Sequence, residues 1–459
     1  MAVRIKDGYI LRRNGNKILI LPRNVRSFET NRYVIHPTVA IVLSLINNEG
    51  TIERARDAVS VVFGTTEKQA HEMVETVRNN LAWVFEETDV PGNPVDPARF
   101  VVNSDDVDLD TLVYRYPTTV SYITTYQCRR KCIYCYAYHG RDGRLLPLDK
   151  FISVLDEGVE HGLDTIILSG GEPFCHPWIF NLIKATVDRG ISCFTSTKLE
   201  LSDADVGNLA NTGLRQMQMS LDSHIPRIAD LMAGAEDCVG ATARTAQRLR
   251  ENGFKILSNT VVTAYNLETA SDTVEFLVSI GCSDISLSVY GRSLWSHSDE
   301  FFASEEALLV LNEEVAALRK KHPGVLINYS YTPDPKPDQV DLRRKVFEGR
   351  SRCTAGREGV IFLPDGRVSM CEMIPQEGDT VVGDLNTQSL LEIWQSSALK
   401  DMILPKRDKF VGTPCAMCAD FLGCHLGRGR CLRNAIQCYD SLYAPDPMCP
   451  LAPPGRRLR

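Results

Sequence analysis

A chain of 459 residues with 44 % hydrophobic content is long enough for about three domains of roughly 150 residues each and can bury substantial cores. Its formal net charge of -7 argues against a broad nucleic-acid-binding face. No apolar run approaches the roughly 20 residues of a membrane span, and the amino terminus lacks the apolar core of a signal peptide, so the sequence points to a cytoplasmic chain with neither nucleic acid nor membrane as partner.

Residues 1–90 read as a small separate domain. Alternating stretches at Tyr9–Arg12 and Lys17–Leu21, split by the turn signal Asn14-Gly15-Asn16, predict a β-hairpin, and Arg26–Thr30 is a candidate third strand. Helical spacing follows over Pro37–Asn47, Ile52–Phe63 and Glu67–Phe85. Strands followed by three short helices resemble the winged-helix (PqqD-like) domain that recognises the leaders of ribosomal peptides. The stretch from Tyr33 to Ile46 carries the likeness. A winged helix that binds DNA or only packs on its neighbour is the alternative, and these helices lack the basic clustering that groove binding needs.

Residues 91–115, with Pro91, Pro94 and Pro97 and then an acidic run to Asp110, read as a linker. Between 116 and 330 short apolar strands alternate with helices. The strands are expected at Thr119–Thr125, Thr165–Ser169, Ser192–Ser196, Gln216–Leu221, Lys255–Thr263 and Asp284–Val289. The helices are expected at Asp149–Glu160, Trp178–Asp188, Asp203–Asn211, Val239–Asn252, Leu267–Ile280 and Glu305–Lys321. Six such units predict an α/β architecture with a parallel sheet. A bridging region, 331–352, leads to a cysteine-rich domain at 353–459.

Fifteen cysteines in a chain read as cytoplasmic suit metal ligation better than disulfides. Cys175, Cys193, Cys238 and Cys282 lie scattered and are expected to be small buried hydrophobes. Cys128, Cys132 and Cys135 form a CxxxCxxC run directly after the first strand, and Ser169-Gly-Gly-Glu-Pro173 follows the second. Three thiolates on one short loop can hold three irons of a [4Fe-4S] cluster and leave the fourth open.

The CxxxCxxC run, with Tyr134 before its third cysteine, and the Gly-Gly-Glu-Pro segment resemble the signature of the radical S-adenosylmethionine (SAM) enzymes. The resemblance implies a partial (β/α)6 barrel with its active site at the carboxyl ends of the strands. It also implies that Gly170, Gly171 and Glu172 meet the methionine end of SAM. By the same resemblance Ser196, Thr197, Ser220, Asp222 and Asn259 hold the rest.

The carboxy-terminal cysteines resemble the SPASM extension of peptide-modifying radical SAM enzymes, which holds two auxiliary [4Fe-4S] clusters and brings the expected total to three. By that likeness Cys415, Cys418, Cys424 and Cys449 hold the distal cluster, and Cys353, Cys371 and Cys431 the nearer one. Cys438 is left as a buried thiol or a fourth ligand. Arg428 stands where the family places a cysteine, and Cys431 is brought back into register by a short insertion. A zinc ribbon would account for Cys415 and Cys418 alone.

The implied function is that of a maturase acting on a ribosomal precursor peptide with a leader, with a flavodoxin or ferredoxin as electron donor. A thioether crosslink comes first, because an open auxiliary iron can capture a peptide thiolate. A carbon–carbon crosslink is the alternative, followed by formylglycine formation and by a catalytically silent iron-sulfur peptide-binding protein.

Overall fold

The computed structural model describes residues 2–22, 33–88, 92–110, 113–138, 140, 143–336 and 338–458. The chain forms two compact units, Met1–Thr118 with Asp156–Asp164, and Thr119–Leu155 with Thr165–Arg459.

In the first unit β1 (Ala2–Ile5) is followed by the expected hairpin, β2 (Tyr9–Asn14) and β3 (Lys17–Pro22), whose turn places Gly15 at φ 61°. The candidate strand Arg26–Thr30 lies outside the described residues. The third strand of this sheet is β4 (Tyr33–Ile35), antiparallel to β3. Three helices follow, α1 (Pro37–Glu49), α2 (Ile52–Phe63) and α3 (Glu67–Asn80). Thr66 opens α3 with a capping box to Gln69.

The expected helix Glu67–Phe85 is a correction, because α3 stops at Asn80. After a short 3-10 turn, Phe85–Thr88 becomes β5, antiparallel to β1. Two consecutive asparagines weaken the helix, and strand pairing lets Val84 and Phe85 join the apolar core.

The segment read as a linker is packed into this unit. Phe100 is buried with Ile18, Leu43 and Val74, and the buried ammonium of Lys17 pairs with Asp108 at 3.4 Å while donating to the carbonyls of Asp110 and Val113. A charge without solvent survives only when it is paired and hydrogen-bonded, so this lysine ties the segment to the hairpin.

The second unit is built on a ten-stranded sheet. In chain order its barrel part runs β6 (Thr119–Thr125), α4 (Leu148–His161), β7 (Thr165–Gly170), α5 (Ile179–Asp188), β8 (Ser192–Thr197), α6 (Asp203–Asn211), β9 (Gln216–Ser220), α7 (Pro226–Ala233), α8 (Cys238–Glu251), β10 (Lys255–Val262), α9 (Ala270–Ser279), β11 (Cys282–Val289), α10 (Glu305–Lys321) and β12 (Leu326–Asn328). These strands pair in parallel, in spatial order β12-β11-β10-β9-β8-β7-β6. Apolar runs such as Ile166-Ile-Leu168 suit a sheet covered on both faces.

After α11 (Val340–Gly349), β13 (Gly359–Phe362) joins β6 in parallel, and β14 (Arg367–Ser369) and β15 (Val381–Asp384) extend the sheet antiparallel. Strands from the region expected to stand alone therefore continue the barrel sheet. The remainder is short helices: α12 (Leu390–Gln395), α13 (Ser397–Ile403), α14 (Phe421–Leu426) and α15 (Leu432–Tyr439). Among the described residues no helix is long and apolar enough to cross a membrane.

Candidate active site

The loop after β6 carries Cys128, Cys132 and Cys135 into a cavity of about 910 Å³ at the carboxyl ends of the barrel strands. Its backbone is clamped. The Lys131 and Ile133 N–H groups donate to the carbonyls of Ala233 and Met232 at the end of α7, at 3.0 and 3.1 Å, and Ser296 Oγ donates to the Ile133 carbonyl at 2.9 Å. Gly234 closes α7 at φ 60°, where a Cβ would meet the Lys131 carbonyl oxygen at 2.6 Å. Burial pushes the Cys128 thiol up to about 12, with Glu172, Cys132 and Cys135 adding to it, and raises Cys132 and Cys135 as well. Metal binding to these thiols must therefore release protons.

Gly170 and Gly171 have a structural duty. A Cβ at Gly170 would meet the Thr125 carbonyl oxygen at 2.5 Å, and one at Gly171 the Gln127 carbonyl oxygen at 2.3 Å. The bare backbone lets the Gly171 and Glu172 N–H groups donate to Thr125 and Gln127, both at 2.8 Å, which zips this segment to the root of the cysteine loop. The Glu172 carboxylate is buried and accepts from the N–H groups of Phe174 at 3.2 Å and Lys198 at 3.1 Å. Burial still raises it to about 7.

Tyr134, Gly170, Gly171, Glu172, Ser196, Thr197, Ser220 and Asn259 all line the cavity; Asp222 does not. It is buried behind the wall, accepting from the Tyr134 hydroxyl at 2.5 Å and the Val261 N–H at 3.1 Å, and it pairs with the Lys198 ammonium. Lys198 escaped the sequence reading, although it directly follows Ser196 and Thr197. It bonds both Asp222 and the Tyr134 hydroxyl, fixing the aromatic residue of the cysteine loop to the ends of β8 and β9.

The carboxy-terminal thiols form two groups. Cys353, Cys371 and Cys431 line one small cavity of about 40 Å³. Burial raises Cys371, and the charges of Cys431 and Cys353 add to it. In the second group burial again leads: Cys449 and Cys418 raise Cys415, while Cys449 and Cys415 raise Cys424. Arg430 stands between the groups. It is buried, donates to the carbonyls of Leu442 and Ala444, and feels both Cys415 and Cys431. Cys438 faces elsewhere, with its thiol 3.5 Å from the Arg456 carbonyl oxygen. Of the four scattered cysteines, Cys193, Cys238 and Cys282 are buried, whereas Cys175 is only half-buried.

The Radical SAM superfamily matches residues 122–277, and the SPASM iron-sulfur cluster-binding domain matches residues 353–419. The chain is a radical SAM/SPASM protein. These domains indicate iron-sulfur clusters and SAM as cofactors.

Its curated relatives include the PqqA peptide cyclase of Ruegeria pomeroyi, 25 % identical over 351 residues, 73 % of this chain and 87 % of that protein. Among solved structures, Streptococcus suis SuiB bound to S-adenosylmethionine superposes with a TM-score of 0.65 at 17 % identity, covering 97 % of this chain and 99 % of SuiB. Native anSMEcpe with bound AdoMet and the Cp18Cys peptide gives 0.52 at 16 % identity over 72 % and 94 %. These structural likenesses concern the fold.

The residues of this radical SAM/SPASM chain fit the cofactors on their own chemistry. Three thiols on one loop face a large cavity, seven more fall into two groups, and the Gly-Gly-Glu segment offers a buried carboxylate to the same cavity.

Proposed function

We propose that the protein is a maturase that crosslinks a ribosomal precursor peptide, with Cys128, Cys132 and Cys135 holding the reactive cluster. Cys353, Cys371 and Cys431 hold a nearer auxiliary cluster, and Cys415, Cys418, Cys424 and Cys449 a distal one, for a total of three. The observation that carries the reading is the large cavity itself: one wall is the cysteine loop and another is α15, which begins beside Cys431. A substrate in it lies against the radical source on one side and, on the other, against the helix that starts at an auxiliary thiol. The named relatives, which are peptide cyclases, support a peptide as substrate. So does SuiB, also solved bound to precursor peptide SuiA.

When bound, the cluster and SAM supply a 5'-deoxyadenosyl radical after one-electron reduction by a donor such as flavodoxin or ferredoxin. The chain's own residues orient and enclose. The Glu172 carboxylate faces an ammonium, the natural partner of a buried acid. Ser196, Thr197, Ser220 and Asn259 present hydroxyl and amide groups at successive strand ends. Asp222 positions Tyr134 and Lys198 from behind.

In the first unit, β4 has no partner on its outer edge among the described residues, which suits a leader added as an extra strand. A thioether is the favoured bond, because the cavity of Cys353, Cys371 and Cys431 has three thiols and Cys438 is turned away.

The deciding experiment incubates anaerobically reconstituted protein with SAM, dithionite and the precursor encoded beside it. The reading requires 5'-deoxyadenosine together with a peptide lighter by a pair of hydrogens. Loss of one alkylatable cysteine identifies a thioether, and retention of all cysteines a carbon–carbon bond. Deoxyadenosine without any change in peptide mass would defeat the proposal.

A further inference from the structure

The reaction cavity ends on one face of α15, where Arg433, Asn434 and Gln437 line it. Positions i, i+1 and i+4 lie on one side of a helix, so three polar side chains enter the cavity together.

Their hydrogen-bonding capacity leans to donors. Among the described residues five cationic side chains line this cavity, and three have carboxylate partners: Lys198 with Asp222, Arg292 with Asp299 at 2.7 Å, and Arg350 with Asp446 at 2.9 Å. Arg130 belongs to the cysteine loop and donates to the Lys198 carbonyl at 3.1 Å.

Arg433 differs from all four. Its Nε donates to Asn434 Oδ1 at 3.0 Å, its Nη1 meets the Met373 sulfur at 3.1 Å, and among the described residues no carboxylate pairs with it. A thioether is a weak acceptor, and a guanidinium carries five N–H donors, so the charge keeps unused donors. Gln437 adds to them. It is 3 % exposed, and its Nε2 is buried without a hydrogen-bond partner, a rarity in folded proteins. The Asn434 oxygen is already engaged by Arg433, so its amide N–H group remains to donate.

Location narrows the occupant further. Arg433 also lines the small cavity of Cys353, Cys371 and Cys431, and among the described residues it is the one that the two cavities share. The donors therefore stand where the reaction cavity abuts the nearer auxiliary thiols, on an element separate from the Gly170–Glu172 segment.

We propose that the Arg433, Asn434 and Gln437 face is a carboxylate subsite, which holds an aspartate or glutamate side chain of the substrate beside the nearer auxiliary group. That the substrate is a peptide rests on the function proposed above. A planar carboxylate accepts two parallel bonds from a guanidinium and still offers lone pairs to the two amides.

The test uses reconstituted enzyme with SAM and ligand-observed NMR titration of three probes: N-acetylglutamate methylamide, N-acetylglutamine methylamide and N-acetylglycine. The glutamate probe should bind about tenfold more tightly than the glutamine probe, the loss expected of one charge-assisted contact. Arg433→Met should erase that preference, and Gln437→Met should reduce it several-fold. Equal binding of the two amides by the native protein overturns the subsite, as does a preference that survives Arg433→Met. Tighter binding of N-acetylglycine overturns the side-chain assignment in favour of a chain terminus. A SAM affinity that falls in Arg433→Met as far as the glutamate affinity assigns the donors to SAM and likewise overturns it.

Iron content checks that each variant is folded and loaded. If Arg433→Met loses iron, Gln437→Met decides, and an undiminished preference there counts against the proposal. Failure of the peptide reading is separable: a glutamate preference with no peptide modified supports the subsite and sinks the maturase, while a modified peptide with no glutamate preference does the reverse.

Discussion

The two cysteine regions solve different problems with the same side chain. Cys128, Cys132 and Cys135 sit within one loop, clamped by the end of α7 and opening on about 910 Å³ of space. Cys353, Cys371 and Cys431 come from three separated segments and enclose about 40 Å³. A local loop beside a large cavity suits a cluster that must admit a cosubstrate; an assembly of distant segments around little space suits clusters that relay electrons or grip a substrate at one point. The difference also predicts how each region fails.

The strongest challenge to this contrast replaces Cys128, Cys132 and Cys135 together with alanine. SAM cleavage should vanish, while iron bound by the seven carboxy-terminal thiols is retained, as read by iron analysis and deoxyadenosine formation. Deoxyadenosine at the native rate would show that the open cavity is not the reactive site.

A narrower challenge compares two cysteines of α15, Cys431 at its N-cap and Cys438 in its last turn. Cys431→Ala should lose one cluster's worth of iron and all crosslinked product, yet still cleave SAM. Cys438→Ala should keep native iron and product, because its thiol faces the Arg456 carbonyl and not the small cavity. Matching losses in both variants would mean that the nearer cluster is fully ligated by protein, which removes the iron position that thiolate capture needs.

The contrast also marks what the sequence could reveal. The cysteine loop was legible because its cysteines are neighbours in sequence and because hydrophobic period and strand spacing placed the loop at a strand end. All six expected barrel strands formed within three residues of the expected bounds at either end. The auxiliary thiols could be sorted only by likeness, since no local pattern tells which of eight cysteines will meet across a fold.

Three features left no periodic signal. Helix α7, which holds the cysteine loop, is short and starts at Pro226. The strands β13–β15 are three or four residues long and gain their place only by pairing with β6 and each other. Asp222 looked like a strand-end ligand, yet the buried ion pair with Lys198 turns it to the back of the wall. Tertiary pairing decided each case.

That ion pair sharpens the account of the open region. Asp222 is 2 % exposed, and Asp222→Ala leaves the Lys198 ammonium without its counter-charge and the Tyr134 hydroxyl without its acceptor. Removing one partner of a buried pair costs about 3 kcal/mol or more, so thermal or denaturant unfolding of the variant should show a loss of that size. Unfolding at native stability would mean that the cysteine loop does not depend on this anchor.

The smallest expected effect concerns Glu172 and acidity. Burial raises its carboxyl to about 7, above the usual range near 4.3, so below neutrality the free site is largely protonated. An ammonium pairs with the ionised form only, and SAM must then displace a proton. The sign follows: affinity is full above pH 7 and weakens as pH falls, approaching about tenfold per unit well below it. Binding measured with the cluster oxidised, so that SAM is not consumed, should show this acid limb between pH 5 and 7. The α-amino group of SAM, with an ordinary value near 8, adds a second decline at higher pH. Glu172→Gln should bind more weakly at pH 7.5 and lose the acid limb altogether, because no carboxyl remains to titrate. If the native protein shows no acid limb, the buried carboxylate does not face the SAM ammonium, and its duty is confined to the backbone bonds with Phe174 and Lys198 that already hold the cavity wall.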